Sequence, residues 1–168
     1  KLAGCEAHEV FLAATGVIGE PLGTNIVADG VKAAWGKLSD PDWQKAANAI
    51  RTTDTFAKAA GEVADLNRRN VGIAGFAKGS GMIAPNMATT LNYVFTDAAL
   101  TPRVVQALIA KYCDLTYNCI TVDGDTSTSD TLMLFATGRG AKHDAVAKAG
   151  DKKLAEFRLK LREVLMSL

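Results

Sequence analysis

The hydrophobic pattern changes period several times along the chain, and each change marks an element. Val10-Phe11-Leu12-Ala13-Ala14 is a short apolar run within residues 8–14 that stops at Thr15-Gly16, as a buried strand ending in a turn does. Val17-Ile18-Gly19-Glu20-Pro21-Leu22 then breaks regular structure. Over residues 25–37 the apolar positions Ile26, Val27, Val31, Ala34 and Trp35 fall at helical spacing. Ser39-Asp40-Pro41-Asp42-Trp43 reads as a helix start, a capping residue followed by proline at the first helical position, with the helix running through Gln44 to Ile50. Residues 63–66 and 71–77 read as paired strands joined by Asn67-Arg68-Arg69-Asn70, residues 79–86 as a loop, and 91–96 as a further strand. Thr101-Pro102 opens a helix over 103–112. Residues 118–123, with Ile120 and Val122 on one face, and 130–136, broken at Gly138, read as strands. Residues 144–168 carry Leu154, Phe157, Leu161, Val164, Leu165 and Leu168 at helical spacing, a long amphipathic helix interrupted near Gly150-Asp151. Strands and helices mix without strict βαβ alternation, and there is no internal repeat or linker. The expected class is therefore α+β, a layered sandwich, in one domain over 1–168.

Composition narrows the function classes. The chain has 168 residues, 48% of them hydrophobic and 22% charged, as in ordinary soluble globular proteins. A net charge of +1 gives no electrostatic case for nucleic acid or an anionic membrane, and no apolar run approaches a membrane span. The start, Lys1-Leu-Ala-Gly-Cys-Glu6, has neither an initiator methionine nor a signal-peptide pattern and reads as the middle of a longer protein. Cys5, Cys113 and Cys119 form no even framework, so they are expected as reduced, buried or half-buried structural thiols in a cytoplasmic setting. His8 and His143 have no ligand spacing relative to them, and no metal site is expected.

Four polar or glycine-rich segments could carry chemistry. In Ala14-Thr-Gly-Val-Ile-Gly19, Thr15 and Gly16 could offer a hydroxyl and an amide to a negative oxygen, or simply make a turn. Arg51-Thr-Thr-Asp-Thr55 could hold a polar substrate or bond to its own backbone. In Lys78-Gly-Ser-Gly-Met-Ile-Ala-Pro-Asn-Met-Ala-Thr89, Lys78 is a cation suited to a carboxylate. Gly79 and Gly81 permit unusual backbone angles there, Pro85 fixes one, and small Ala88 leaves its carbonyl open to Thr89. An internal threonine lacks a base, but one at a chain N-terminus can use its own amine, so a cut between Ala88 and Thr89 would activate Thr89. No physical rule alone demands that cut. The lysine precedes the glycines, so this is not a phosphate-binding P-loop. In residues 121–131, Asp123, Asp125 and Ser127 mimic the first ligands of a calcium loop, but Thr128 and Leu134 stand where glycine and glutamate belong, which leaves a hydroxyl-rich turn.

In this order the four segments, with Phe95-Thr-Asp-Ala98, resemble one family: the bifunctional glutamate/ornithine N-acetyltransferases of arginine biosynthesis. The matching runs are Ala14-Thr-Gly-Val-Ile-Gly-Glu-Pro-Leu22, Thr52-Thr-Asp-Thr-Phe56, Lys78 to Thr89, and Asn118-Cys-Ile-Thr-Val-Asp-Gly-Asp-Thr-Ser-Thr128. The resemblance implies a self-cleaving N-terminal-threonine nucleophile with a layered α/β sandwich of the N-terminal-nucleophile-like type. Residues 1–88 would end an α-chain and 89–168 begin a β-chain, the two associating further. Thr89 would be the nucleophile, Thr15 and Gly16 the oxyanion hole, and Thr52, Lys78 and Thr89 the substrate-binding positions. N-acetylornithine and glutamate would be the substrates, with acetyl-CoA a second donor in some members and no metal or bound organic cofactor. Ala14, Gly23, Ala57 and Arg51 depart from the family's usual residues without removing a catalytic group, and Thr90 adds a second hydroxyl beside the nucleophile. The family's pattern continues beyond both ends of the chain, so the isolated piece is expected to have little or no activity. The alternatives are a non-catalytic folded fragment of that enzyme and an N-terminal-threonine hydrolase or aminopeptidase.

Overall fold

A computed structural model describes residues 2–39, 42–86 and 89–168. A four-stranded sheet in the order β1-β2-β3-β4 forms its centre. β1 (Lys58–Asp65), β2 (Asn70–Lys78) and β3 (Leu91–Thr96) run antiparallel, and β4 (Thr131–Ala136) joins β3 in parallel. The parallel pair is joined through α3 (Pro102–Leu115), as a parallel connection requires a crossover. The β1–β2 hairpin turns on Asn67 and Arg68, both at positive φ (58° and 65°), and closes with Leu66 N–H donating to Arg69 O at 2.8 Å. Two left-handed residues match the twist of the flanking strands.

Two helices cover one face of the sheet. α3 opens at Thr101, whose hydroxyl accepts from Val104 N–H, with Pro102 in the first turn. Its buried stripe is Val104, Leu108, Ile109 and Tyr112. α4 (Ala155–Ser167) contributes Phe157, Leu161, Val164 and Leu165, and packs on β1 and β2. These side chains meet Leu66, Ile73 and Val94 from the sheet in one core. Fully burying each such apolar side chain is worth roughly 1.5–3 kcal/mol, so this layer supplies most of the chain's packing energy. The other face carries Phe76, Tyr93, Phe95 and Phe135 in a row of ring contacts, with Trp43 of α2 (Trp43–Ala49) and Phe11 set edge-on against it. The layers are therefore helices, sheet, and a partial second cover, a mixed α+β sandwich.

Several elements differ from the sequence reading. The apolar run 10–14 is not a strand. A single 3-10 turn (Ala7–Glu9) precedes it, and Val10, Phe11 and Leu12 are exposed. An apolar run becomes a strand only where a sheet edge accepts its backbone; here the Phe11 ring meets Phe135 of β4 edge-on. α1 (Thr24–Trp35) forms where the periodicity places it, yet buries none of its residues. α2 is capped by Asp42, whose carboxylate accepts from Lys45 N–H, so the start lies two residues later than Asp40; Asp40 and Pro41 lie outside the described residues. β1 begins at Lys58 rather than Val63. Residues 118–123 form a 3-10 turn (Tyr117–Cys119) and a loop instead of a strand. The long C-terminal helix begins only after Asp151, whose carboxylate caps a 3-10 turn (Lys152–Leu154), so residues 144–151 are not helical. The cysteines are free thiols, but Cys5 and Cys119 are exposed and only Cys113 is half-buried.

Candidate active site

The glycine-rich loop after β2 is where the backbone departs most from ordinary angles. Gly79 has φ 153°, Met82 56°, Asn86 73° and Thr89 35°. Asn tolerates the left-handed region, but methionine and especially β-branched threonine do not, and each such residue holds about 1–3 kcal/mol of strain. The strain persists because the loop is braced from three sides.

The first brace is Asp54. It is buried, and its Oδ1 accepts from Gly79 N–H at 2.8 Å and from the Lys58 ammonium. Lys58 also donates to Gly79 O at 2.8 Å, so one ion pair grips the peptide groups on both sides of Gly79. Burial alone would raise the Asp54 pKa; the Lys58 contact and the Gly79 amide outweigh it and hold the carboxyl below its ordinary value. Arg51 donates to Asp54 O, and the Thr53 and Ser80 hydroxyls share a 2.8 Å hydrogen bond. The second brace is Asp123. Its carboxylate accepts from Met82 N–H at 2.7 Å and Ile83 N–H at 2.9 Å, while Ile83 O accepts from Val122 N–H at 2.9 Å. These amides, Met82 first, lower the Asp123 pKa. The third is Asp130, whose Oδ1 accepts from Thr90 N–H at 3.1 Å.

Within this frame Thr89 is half-buried, and its hydroxyl donates to Met82 O at 2.6 Å. Lys78 ends β2 opposite Leu91 and is 2% exposed; no carboxylate or carbonyl among the described residues pairs with its ammonium. Gly79 lies so close to the Thr89 segment that a Cβ there would meet Thr90 Cγ2 at 2.8 Å and Thr89 O at 3.0 Å.

Three of the four segments picked out by sequence therefore meet along the loop that ends at Thr89: the Arg51–Thr55 run at Gly79 and Ser80, the glycine-rich loop itself, and the 121–131 run at Met82, Ile83 and Thr90. Thr52 is exposed, and its side chain makes no hydrogen bond among the described residues; Thr53 contacts the loop instead. Ala88 lies outside the described residues. Thr15 is half-buried and Gly16 exposed, and neither forms a hydrogen bond to the loop among the described residues. The bracing roles of Lys58, Asp123 and Asp130 were not read from the sequence. The Asp123-Gly-Asp125 pattern resembles a cation loop, and only the fold shows its carboxylate turned onto backbone amides, with Asp125 N–H adding a local turn at 3.2 Å.

Fold and loop together define an α+β protein with a threonine-centred candidate site beside a buried lysine. A family model described as the ArgJ family matches residues 1–168, and the chain belongs to that family. Its similar relatives include proteins named arginine biosynthesis bifunctional protein ArgJ from Bradyrhizobium diazoefficiens, 48% identical over 171 residues, and Caulobacter vibrioides, 48% over 168, each covering all of this chain and 41% of the relative. That of Gluconobacter oxydans is 50% identical over 168 residues, covering all of this chain and 39% of the relative. The chain thus spans about two fifths of the length of these curated relatives. No helix among the described residues is long and apolar enough to cross a membrane.

Proposed function

We propose that this chain is the central part of an acyltransferase that moves an acetyl group from N-acetylornithine to glutamate through an acetyl-Thr89 intermediate, formed after self-cleavage between Ala88 and Thr89. The observation that carries this reading is Thr89 itself: a β-branched residue at φ 35° whose hydroxyl is oriented by Met82 O. Thr89 is the one hydroxyl-bearing residue among the positive-φ positions of this braced loop, and such strain clusters at functional sites, which supports the bond before it as the one that breaks. In the cut, the Thr89 oxygen bonds to the Ala88 carbonyl carbon, the amide C–N bond breaks, and the hydroxyl proton passes to the nitrogen. Water then hydrolyses the ester and leaves Thr89 with a free α-amine. Such an amine has a reference pKa of about 7.7–8.0, so roughly a tenth is neutral near pH 7 and can take the proton of its own hydroxyl.

Transfer then proceeds in two halves: Thr89 takes the acetyl group, ornithine leaves, and glutamate collects it. Lys78, buried at the end of β2 beside the loop, carries a charge that suits a substrate carboxylate. Thr52 remains the favoured threonine for substrate, its hydroxyl free of other bonds among the described residues. Thr15 and Gly16 are assigned the oxyanion hole, and their amides are unspent among the described residues. The names of the relatives, which place them in arginine biosynthesis, support the substrate class. The reading includes association of the two chains into a higher oligomer, a cytoplasmic setting and no metal or organic cofactor, with acetyl-CoA as an alternative donor. A second reading fits the 168-residue piece alone. Among the described residues Thr15 and Gly16 are not bonded to the loop, in keeping with a folded fragment that has little or no acetyl transfer by itself. Normal transfer from N-acetylornithine by the purified piece would contradict that. The principal test is acid-quenched peptide mass analysis of the relatives-length protein after incubation with N-acetylornithine. An acetyl adduct on the peptide beginning at Thr89 is expected; an adduct elsewhere, or none, would overturn the reading.

A further inference from the structure

We infer that Asp123 is a positioning residue for Thr89, acting through the Met82 carbonyl; this rests on the proposed role of Thr89. In a trans peptide the N–H and C=O point in opposite directions. Ile83 N–H and Met82 C=O belong to the same peptide unit. Asp123 Oδ1 holds the Ile83 N–H at 2.9 Å, so the Met82 carbonyl is turned away from Asp123, and it accepts the Thr89 hydroxyl at 2.6 Å. Asp123 Oδ2 holds Met82's own N–H at 2.7 Å, so the peptide planes on both sides of Met82 are pinned. That double grip keeps Met82 at φ 56°, an angle a side chain of its size rarely adopts. Return bonds from Val122, Asp123 and Gly124 N–H to Ile83 O fix the carboxylate's own loop against the same residue. The carbonyl cannot take the hydroxyl proton; it sets the side-chain torsion and thereby the direction of the oxygen lone pairs. Without Asp123, Met82 relaxes from the left-handed region, its carbonyl swings, and the Thr89 hydroxyl loses its orientation while the β-sheet, which Asp123 does not touch, stays formed.

The test follows self-cleavage of the relatives-length protein after cell-free synthesis, by intact mass over time. Asp123→Ala is expected to slow cleavage at least about tenfold, and Asp123→Asn, which keeps an oxygen acceptor, less. Met82→Gly removes the β-carbon that makes φ 56° costly, so Met82→Gly/Asp123→Ala is expected to cut faster than Asp123→Ala alone. Wild-type cutting by Asp123→Ala sinks the assignment. So does a double variant no faster than the single one, since Asp123 would then act through general folding. Thr89→Ala separates the two levels. If Thr89→Ala still cuts, the reading of Thr89 itself fails; if it does not cut while Asp123→Ala cuts normally, only the Asp123 assignment fails.

Discussion

Replacing Asp54 by alanine removes the brace that holds both sides of Gly79. Its side chain is 1% exposed and that of Lys58 19%. Two losses follow. The Gly79 N–H loses its acceptor, which costs about 1–3 kcal/mol for a buried donor. The Lys58 ammonium loses its counter-charge. Breaking a buried pair costs about 3–5 kcal/mol, but Lys58 keeps Gly79 O and some solvent, so the low end applies. The two terms overlap, and the expected total is about 3 kcal/mol. For a chain of this size that lowers the melting temperature by about 6–12 °C. Asp54→Asn keeps an oxygen for Gly79 N–H and loses only the charge, so it should cost about 1–2 kcal/mol. Thermal unfolding followed by circular dichroism measures both. A shift below about 2 °C for Asp54→Ala, or an Asn variant as damaged as the Ala variant, would refute the brace as the source of the loop's order.

Gly79→Ala places a Cβ at 2.8 Å from Thr90 Cγ2 and 3.0 Å from Thr89 O, at a backbone angle that L-residues avoid. It should destabilise by about 2–4 kcal/mol and abolish cleavage, and a variant that melts and cuts like the wild type would contradict the packing. Asp54 has a folded pKa below its ordinary 3.8, so its contribution is fully present above that value and is lost as pH falls through the lowered one. The stability gap between wild type and Asp54→Asn, read from urea midpoints at about pH 7, 5 and 3, should hold between the first two and shrink at the third. A gap independent of pH would show that the charge of Asp54 is not what stabilises the loop.

The elements that could be read from sequence are those whose signals are local or whose partners lie within the chain. Asn67-Arg68 can adopt the two left-handed angles of a tight hairpin, and Thr101-Pro102 carries its own cap and first turn. β3 matches its expected bounds, and the apolar stripe of α4 is buried where its spacing places it. The misreadings share a different cause. Val10–Ala14 has strand composition, yet among the described residues no strand pairs with its backbone, Val10 N–H turning back to Ala7 O at 3.2 Å, and composition cannot supply an edge. In residues 118–123 the alternation of Ile120 and Val122 is overridden because three successive amides, from Val122 to Gly124, converge on Ile83 O. The helical spacing begins at Leu154, so the stretch from 144 to the expected break at Gly150-Asp151 has no stripe of its own, and Asp151 caps the chain anew just before the helix. At the site, motif order brought out Lys78 and Thr89, whereas Lys58, Asp123 and Asp130 act through backbone groups distant in sequence. Such roles depend on which amides the fold leaves facing them, and a string of residue types does not carry that information.

The proposed function requires that the chain cut itself ahead of Thr89 and then use Thr89 as its nucleophile. Intact-mass analysis of the relatives-length protein beside its Thr89→Ala variant tests this most directly. Two pieces meeting between Ala88 and Thr89 are expected in the wild type and one unbroken mass in Thr89→Ala. An uncut wild type, or a variant that still separates at that bond, would contradict it.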